Sequence, residues 1–294
     1  MDRSAASELL LRQRLRALEK NLPAAAKGNR DALHHARVAS RRIREALPLL
    51  SAGDRARRLE RKVRKITQAL GPVRELDVAL EILDEIEARG EAPRAALARL
   101  RQAVAREREV LQAEMRRRLD ACDLDTLRKR ALGVARRHGH DKTRASRDPE
   151  QLLRAHARAA RRAERLRTAI RNAGSLYLPD RLHDVRIALK KLRYSLEILR
   201  QLGGVRTPAR LKTLSRVQDT LGRMHDLEVL IARARGVQGS PGALNLRLSG
   251  ELDRVVRRFE TECRQLHGQY MTLRRSVLDI CEQTVAAARA SAAA

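Results

Sequence analysis

Apolar and polar positions follow a helical period through most of the chain, and no stretch settles into the two-residue alternation of a strand. The pattern predicts a first amphipathic helix over Ser4–Asn21, ended by Pro23 and the Lys27-Gly28-Asn29 turn. A second helix starts from a cap at Asp31 and runs to about Leu50, before Gly53. A third covers Asp54–Ala88, followed by Gly90 and Pro93, and a fourth covers Pro93–Leu119, with a shorter segment over Leu124–Arg137. The stretch His138–Asp148 lacks apolar residues and reads as a linker. Beyond it helices are expected over Pro149–Asn172, Asp180–Leu202 and Pro208–Arg235. A loop over Gly236–Gly242 then leads into a long helix from Ala243.

The two halves repeat one another. Leu33-His34-His35-Ala36-Arg37-Val38-Ala39-Ser40-Arg41-Arg42-Ile43-Arg44 matches Leu182-His183-Asp184-Val185-Arg186-Ile187-Ala188-Leu189-Lys190-Lys191-Leu192-Arg193, 149 residues later. With His34 at zero and roughly 100° per residue, Arg37, Arg41 and Arg44 fall within about 60° of one another. Ile43, Leu47, Ala36, Ala39 and Leu50 gather on the opposite side. The second copy places Arg186, Lys190 and Arg193 beside His183, with Leu192, Leu196, Val185, Ala188 and Leu199 opposed. An exposed helix normally interleaves both signs of charge, whereas these polar arcs are almost purely positive. Such like charges repel unless an anion lies between them.

A second match, Leu70-Gly71-Pro72-Val73-Arg74-Glu75-Leu76-Asp77-Val78 with Leu221-Gly222-Arg223-Met224-His225-Asp226-Leu227-Glu228-Val229, lies at an offset of 151 residues. The simplest account is an all-α fold of two homologous four-helix bundles related by an approximate two-fold axis. Repeat one spans 1–137, the linker 138–148 and repeat two 149–294 of a single domain. Gly71 and Gly222, both inside helical patterns, suggest a kink or a close helix approach, with the kink stronger at Gly71 because Pro72 follows.

Composition narrows the partners. Lys and Arg number 64 against 36 Asp and Glu, a formal charge of +28, while three Tyr, one Phe and no Trp leave Leu, Ala, Val and Ile to form the core. Cys122, Cys263 and Cys281 are an odd number without metal-ligand spacing and predict free thiols in a reducing compartment. The N-terminal arginines interrupt any signal-peptide core, and no run reaches a membrane span, so a soluble cytoplasmic protein is expected.

The paired H-x-x-R helices, each followed by the L-G-x-x-[RH]-[ED]-L-[DE]-V run, resemble the CHAD family, the conserved histidine α-helical domain. The resemblance covers nearly the whole chain and implies two four-helix bundles around a basic groove that binds inorganic polyphosphate, with recruitment to polyphosphate granules. Relatives often carry a fused triphosphate-tunnel (CYTH) domain, but this chain has no E-x-E-x-K strand and resembles a stand-alone member. Carried over by position, the implied polyphosphate ligands are His34, Arg37, Arg41, Arg42 and Arg44, with His183, Arg186, Lys190, Lys191 and Arg193. Arg61 and Lys65, matched by Lys212 and Arg216, are secondary candidates. Arg74 becomes His225 in the second copy, which weakens a requirement for a cation there.

Like charge should disfavour protonation of His34 and His183, while Glu75, Asp77, Asp226 and Glu228 should pair with basic side chains rather than bind metal. No cofactor or metal is expected. Non-specific nucleic-acid binding is the first alternative, allowed by charge but lacking aromatic stacking platforms. A metal-dependent phosphohydrolase is the second. Its His183-Asp184 and His225-Asp226 pairs are not kept in the first repeat, so binding without catalysis is expected. A helical scaffold whose charge only confers solubility is the third.

Overall fold

A computed structural model describes residues 3–50, 54–122, 127, 129, 149–202, 208–239 and 246–293. Among them are eight helices and no strand: α1 (Arg3–Ala26), α2 (Arg30–Leu50), α3 (Asp54–Ala88), α4 (Arg94–Asp120), α5 (Pro149–Ala173), α6 (Pro179–Gln201), α7 (Pro208–Gln238) and α8 (Leu246–Ala293). The expected segment Leu124–Arg137, apart from Leu127 and Lys129, and the linker His138–Asp148 lie outside the described residues.

Several boundaries move because packing outweighs local breakers. α1 runs through Pro23 to Ala26: the proline removes one backbone donor, but Leu22 and Ala25 beside it are buried, and their packing offsets the missing bond. The chain turns instead at Gly28, where φ is 93°, and Asn29 caps α2 by accepting the Ala32 N–H at 2.8 Å. Asp31, expected as the cap, sits inside the first turn. α3 remains one continuous helix through Gly71 and Pro72. α7 passes Gly236 and reaches Gln238 because Val237 is buried, so the following loop starts later than Gly236.

Successive helices pack side by side within each half, and α5 also lies along α8. Across the halves α2 contacts α6 and α5, α3 contacts α7, and α4 contacts α8 and α7. The hydrophobic core does not divide along the same line. One cluster joins α1, α2, α5 and α6 to the first parts of α3 and α7 and the end of α8, through Leu33, Ile43, Leu70, Leu189, Leu214 and Tyr270. The other joins the later parts of α3 and α7 to the starts of α4 and α8, through Leu83, Leu97, Leu230 and Phe259. The second half of the chain thus contributes to both clusters, and so does the first.

Asp77, 0% exposed, is a sealed charge. Arg108 Nε donates to it at 2.6 Å, Arg108 Nη2 donates to the Gly28 carbonyl at 3.1 Å, and Arg30 lies 3.6 Å from the carboxylate. The group clamps α3 and α4 to the α1–α2 turn. There an added Cβ at Gly28 would run into the Gln112 side-chain amide. Asp77→Ala strands the Arg108 cation and should cost about 3–5 kcal/mol of unfolding free energy, read as a lower denaturant midpoint at unchanged slope. An apolar Asp77→Leu/Arg108→Met pair should recover most of that loss. A single variant as stable as wild type would show that the clamp contributes nothing.

Candidate anion-binding site

The C-terminal half of α3 and the middle of α7 face α2 and α6 across a pocket of about 700 Å³. His34, Arg37, Arg41 and Arg42 enter it from α2, and Arg186, Lys190, Arg193 and Tyr194 from α6. Arg74, Glu75, Glu81 and Glu85 of α3 and Gln218, Asp219, Arg223, His225 and Asp226 of α7 complete the walls. The apolar side of each signature helix produces this placement. Ala36, Ala39, Ile43 and Leu47 on α2, and Val185, Leu189, Leu192, Leu196 and Leu199 on α6, are buried, and that turns the basic side inward across the boundary. The repeated glycines sit beneath the first arginine of each signature: a Cβ on Gly71 would lie 3.9 Å from Arg37 Nη2, and one on Gly222 4.0 Å from Arg186 Nε. The close approach expected of these glycines is therefore an arginine crossing a helix.

Three of the lining cations are held by carboxylates. Arg74 donates to Glu81 at 2.9 Å, and Arg223 donates to Glu85 at 2.9 Å and to Glu262 at 2.8 Å. Arg193 bonds Glu197 and donates to Gln218 at 2.9 Å. The Tyr194 ring lies beneath two guanidiniums, Arg193 at 4.8 Å and Arg41 at 5.5 Å, which narrows their freedom. At the centre stand Arg37, Arg41, Arg186 and Lys190. Asp226, 4.0 Å from Arg186, is the carboxylate within ion-pair reach of these four among the described residues. The Nε atoms of Arg37 and Arg186 are buried without a hydrogen-bond partner among the described residues.

Lys190 is 8% exposed. Burial, and then the charges of Arg186, Arg41 and Arg37, push its ammonium down from the ordinary 10.5 to about 6, with Asp226 opposing. Arg37 is pushed down to about 10, by burial ahead of Arg41 and Arg186, and keeps its charge at neutral pH. Burial raises Asp226 despite Arg186 and Lys190. His34, His183 and His225 are all lowered, His225 to about 4. Like charge contributes to each, as expected, but burial is the larger cause. Neutral imidazoles can still donate one N–H to an anion.

Seven of the ten primary candidates line the pocket: His34, Arg37, Arg41, Arg42, Arg186, Lys190 and Arg193. His183 does not. Its Nδ1 lies 3.3 Å from Nδ1 of His225, which lines the pocket in its place. Arg44 and Lys191 also lie off the pocket. Arg44 is a little under one turn beyond Arg41 on α2 and near Arg64, Glu60 and Glu45, while Lys191 turns about 100° from Lys190 toward Arg162 and Arg165 of α5. The secondary set Arg61, Lys65, Lys212 and Arg216 is exposed, on turns of α3 and α7 that precede the lining residues. Lys65 acts electrostatically on Cys122. The carboxylates mostly meet cations, Glu75 with Arg233 at 3.5 Å, Asp77 with Arg108 and Asp226 with Arg186, whereas Glu228 accepts the Tyr177 hydroxyl.

Sequence reasoning missed Tyr194, Gln218, Asp219, Glu81, Glu85 and Arg223 as pocket residues. Those on α7 recur with Gly222, His225 and Asp226 at a three-to-four spacing, a face legible once Gly222 is known to point at α6. Tyr194 is one of only three tyrosines and sits four residues after Lys190, on the same side of α6.

The family model described as CHAD domain matches residues 9–235. Among solved structures, the chain is similar to PptA from Streptomyces chartreusis, at 16% identity and a TM-score of 0.59, over 94% of this chain and 100% of that one. It is also similar to the CHAD domain from the plant Ricinus communis, at 21% identity and a TM-score of 0.59, over 97% of this chain and 92% of that one. At these identities the likeness is one of fold. Comparison with curated proteins gives no match.

The burial of Lys190 has a sign that can be measured. Between pH 6 and pH 10.5 the unfolded lysine binds a proton that the folded one lacks, so this group makes stability rise with pH across that window. Lys190→Met should therefore stabilise the ligand-free protein most at pH 6 and progressively less toward pH 9, in denaturant titrations at matched salt. A Lys190→Met variant less stable than wild type at pH 6 would refute the repulsion argument.

Proposed function

The chain belongs to the CHAD domain family, which is associated with polyphosphate binding, and on that premise we propose that it binds inorganic polyphosphate in the pocket between α2, α3, α6 and α7. The observation that carries the reading is Lys190, buried among Arg37, Arg41 and Arg186 with Asp226 as the nearby countercharge. Three guanidiniums crowded around an amine that burial drives toward its neutral form destabilise the free fold, and an anion seated among them removes that penalty. Arginine supplies paired donors to phosphate oxygens, and the unmet Nε–H groups of Arg37 and Arg186 are available to them.

The site's depth favours a bare phosphate chain over nucleic acid. Polyphosphate presents oxygens on every side and carries no sugar or base, so it can enter a pocket whose strongest charges lie at the bottom. A duplex is broader and stiffer than a single phosphate chain and cannot bring its phosphates to the buried Lys190, while Arg74, Arg193 and Arg223 are already paired with Glu81, Glu197, Glu85 or Glu262. The role proposed is binding rather than turnover. Histidines held neutral beside arginines suit hydrogen-bond donation, and association with polyphosphate granules would follow from the same chemistry.

Competition at equal phosphate concentration tests the reading. Long-chain polyphosphate should displace duplex DNA, DNA should not displace polyphosphate, and Arg41→Glu or Lys190→Met should weaken polyphosphate binding by about tenfold or more, with a steep loss as salt rises. Displacement of polyphosphate by DNA would overturn it, and metal-dependent phosphate release lost in His183→Ala would replace binding with hydrolysis.

A linked effect follows from Lys190, which is mostly neutral in the free protein above pH 6 and regains its charge when a polyanion binds. Binding at pH 7 to 8 should take up a proton, so affinity for long chains, whose titrating ends are few, should fall as pH rises. Buffers of different ionisation enthalpy in calorimetry count the proton. Lys190→Arg, which stays charged, should reduce both the uptake and the slope.

A further inference from the structure

Arg44 and Lys191 belong to the two signature helices yet lie off the pocket, and they lie near one another. Lys191 meets the charges of Arg162 and Arg165 of α5 and of Arg44, with Glu45 as the carboxylate that answers them. Glu45 is already engaged: one of its oxygens, Oε2, accepts from Arg158 at 3.2 Å and from Arg162 at 2.9 Å. The nearby acid on α5, Glu164, turns to Arg167 at 2.7 Å. The α2–α5–α6 face therefore gathers five cations around one carboxylate shared by two of them, and Glu60 of α3 answers Arg44 beside the opposing charge of Arg64.

A solvated helix face would interleave its charges and leave no donor unmet. Here the buried Nε atoms of Arg44 and Arg158 have no hydrogen-bond partner among the described residues, as for Arg37 and Arg186 inside the pocket and for Arg258 and Arg274 elsewhere. Arg44 joins the two regions, since both Arg41, a pocket residue, and Glu45, which the second surface shares, act on its charge.

We propose that a long polyphosphate chain leaves the pocket past Arg44 and continues onto this second cationic surface, bound by Lys191, Arg158, Arg162 and Arg165. The proposal rests on polyphosphate binding in the pocket and adds a direction of exit and a dependence on chain length. Arg44 stands about 10 Å along α2 from Arg37. The axis of α5 lies a further 8–10 Å or about one helix spacing away. A triphosphate seated on Lys190 cannot touch both regions, whereas a chain of tens of phosphates can.

The test uses Lys191→Glu/Arg165→Glu, two exposed positions whose reversal leaves the core untouched. Binding of tripolyphosphate and of a chain of about one hundred phosphates is measured on folded protein, with unchanged melting as the check. The expected result is a loss of about tenfold or more for the long chain and less than about twofold for tripolyphosphate. Reversal of two exposed arginines on α4, Arg116→Glu/Arg117→Glu, should leave long-chain affinity nearly unchanged. An unchanged long-chain affinity in the α5–α6 variant, or an equal loss for both ligands, overturns the exit path. If tripolyphosphate binds wild type and is lost in Lys190→Met while the long chain ignores the α5–α6 variant, the pocket stands and the path alone fails. If neither ligand binds wild type, both fall.

Discussion

Repulsion among Arg37, Arg41, Arg186 and Lys190 is the constraint around which the rest of this protein is arranged. These charges do not choose one another. Ile43 and Leu47 on α2 and Leu189 and Leu192 on α6 go into the core, and the basic sides of both helices are carried toward the same space. The hydrophobic effect supplies the force, and the electrostatic penalty is what remains when that force has acted. A site of this kind is stable only because the penalty is local and the burial is spread through two clusters that both halves share.

Centre and rim divide the work. At the rim, Arg74, Arg193 and Arg223 are fixed by carboxylates, so their direction is set before any ligand arrives. Tyr194 does the same for Arg41 with a ring face, which orients a guanidinium without neutralising it. The centre lacks such partners and so keeps most of its attraction for an anion. Asp226 moderates the field there without cancelling it. Preorganised cations around an unmet charge give affinity with little ordering on binding.

The basic helices, their apolar backing and the repeated glycines could be read from the chain because each depends on spacing within one helix. The helical wheel placed Arg37, Arg41, Arg186, Lys190 and Arg193 on sides that do meet in the pocket. Arg44 shares that side by angle yet lies off the pocket, because an angle around an axis carries no information about height along it or about which neighbour packs there. The surroundings of Lys191, which the resemblance implied as a ligand, are set by α5, which has no counterpart in the signature. His183 looked equivalent to His34, but the exchange of Arg74 for His225 gave it an imidazole to contact instead of the pocket. Pro23 and Gly236 misled for the opposite reason: local stop signals were overruled by Leu22, Ala25 and Val237, whose burial is decided by distant residues.

The length of α8 has a consequence for how the pocket comes into being. Its 48 residues span about 70 Å and enter both hydrophobic clusters, through Phe259 in one and Tyr270 in the other. It also follows every pocket-lining residue in the chain. During synthesis, the helices that carry the four central cations therefore emerge before the strut that completes either core. Its packing against α5 and α7 couples the backing of the pocket in one cluster to that in the other, so a disturbance of either cluster reaches the helices that carry the site.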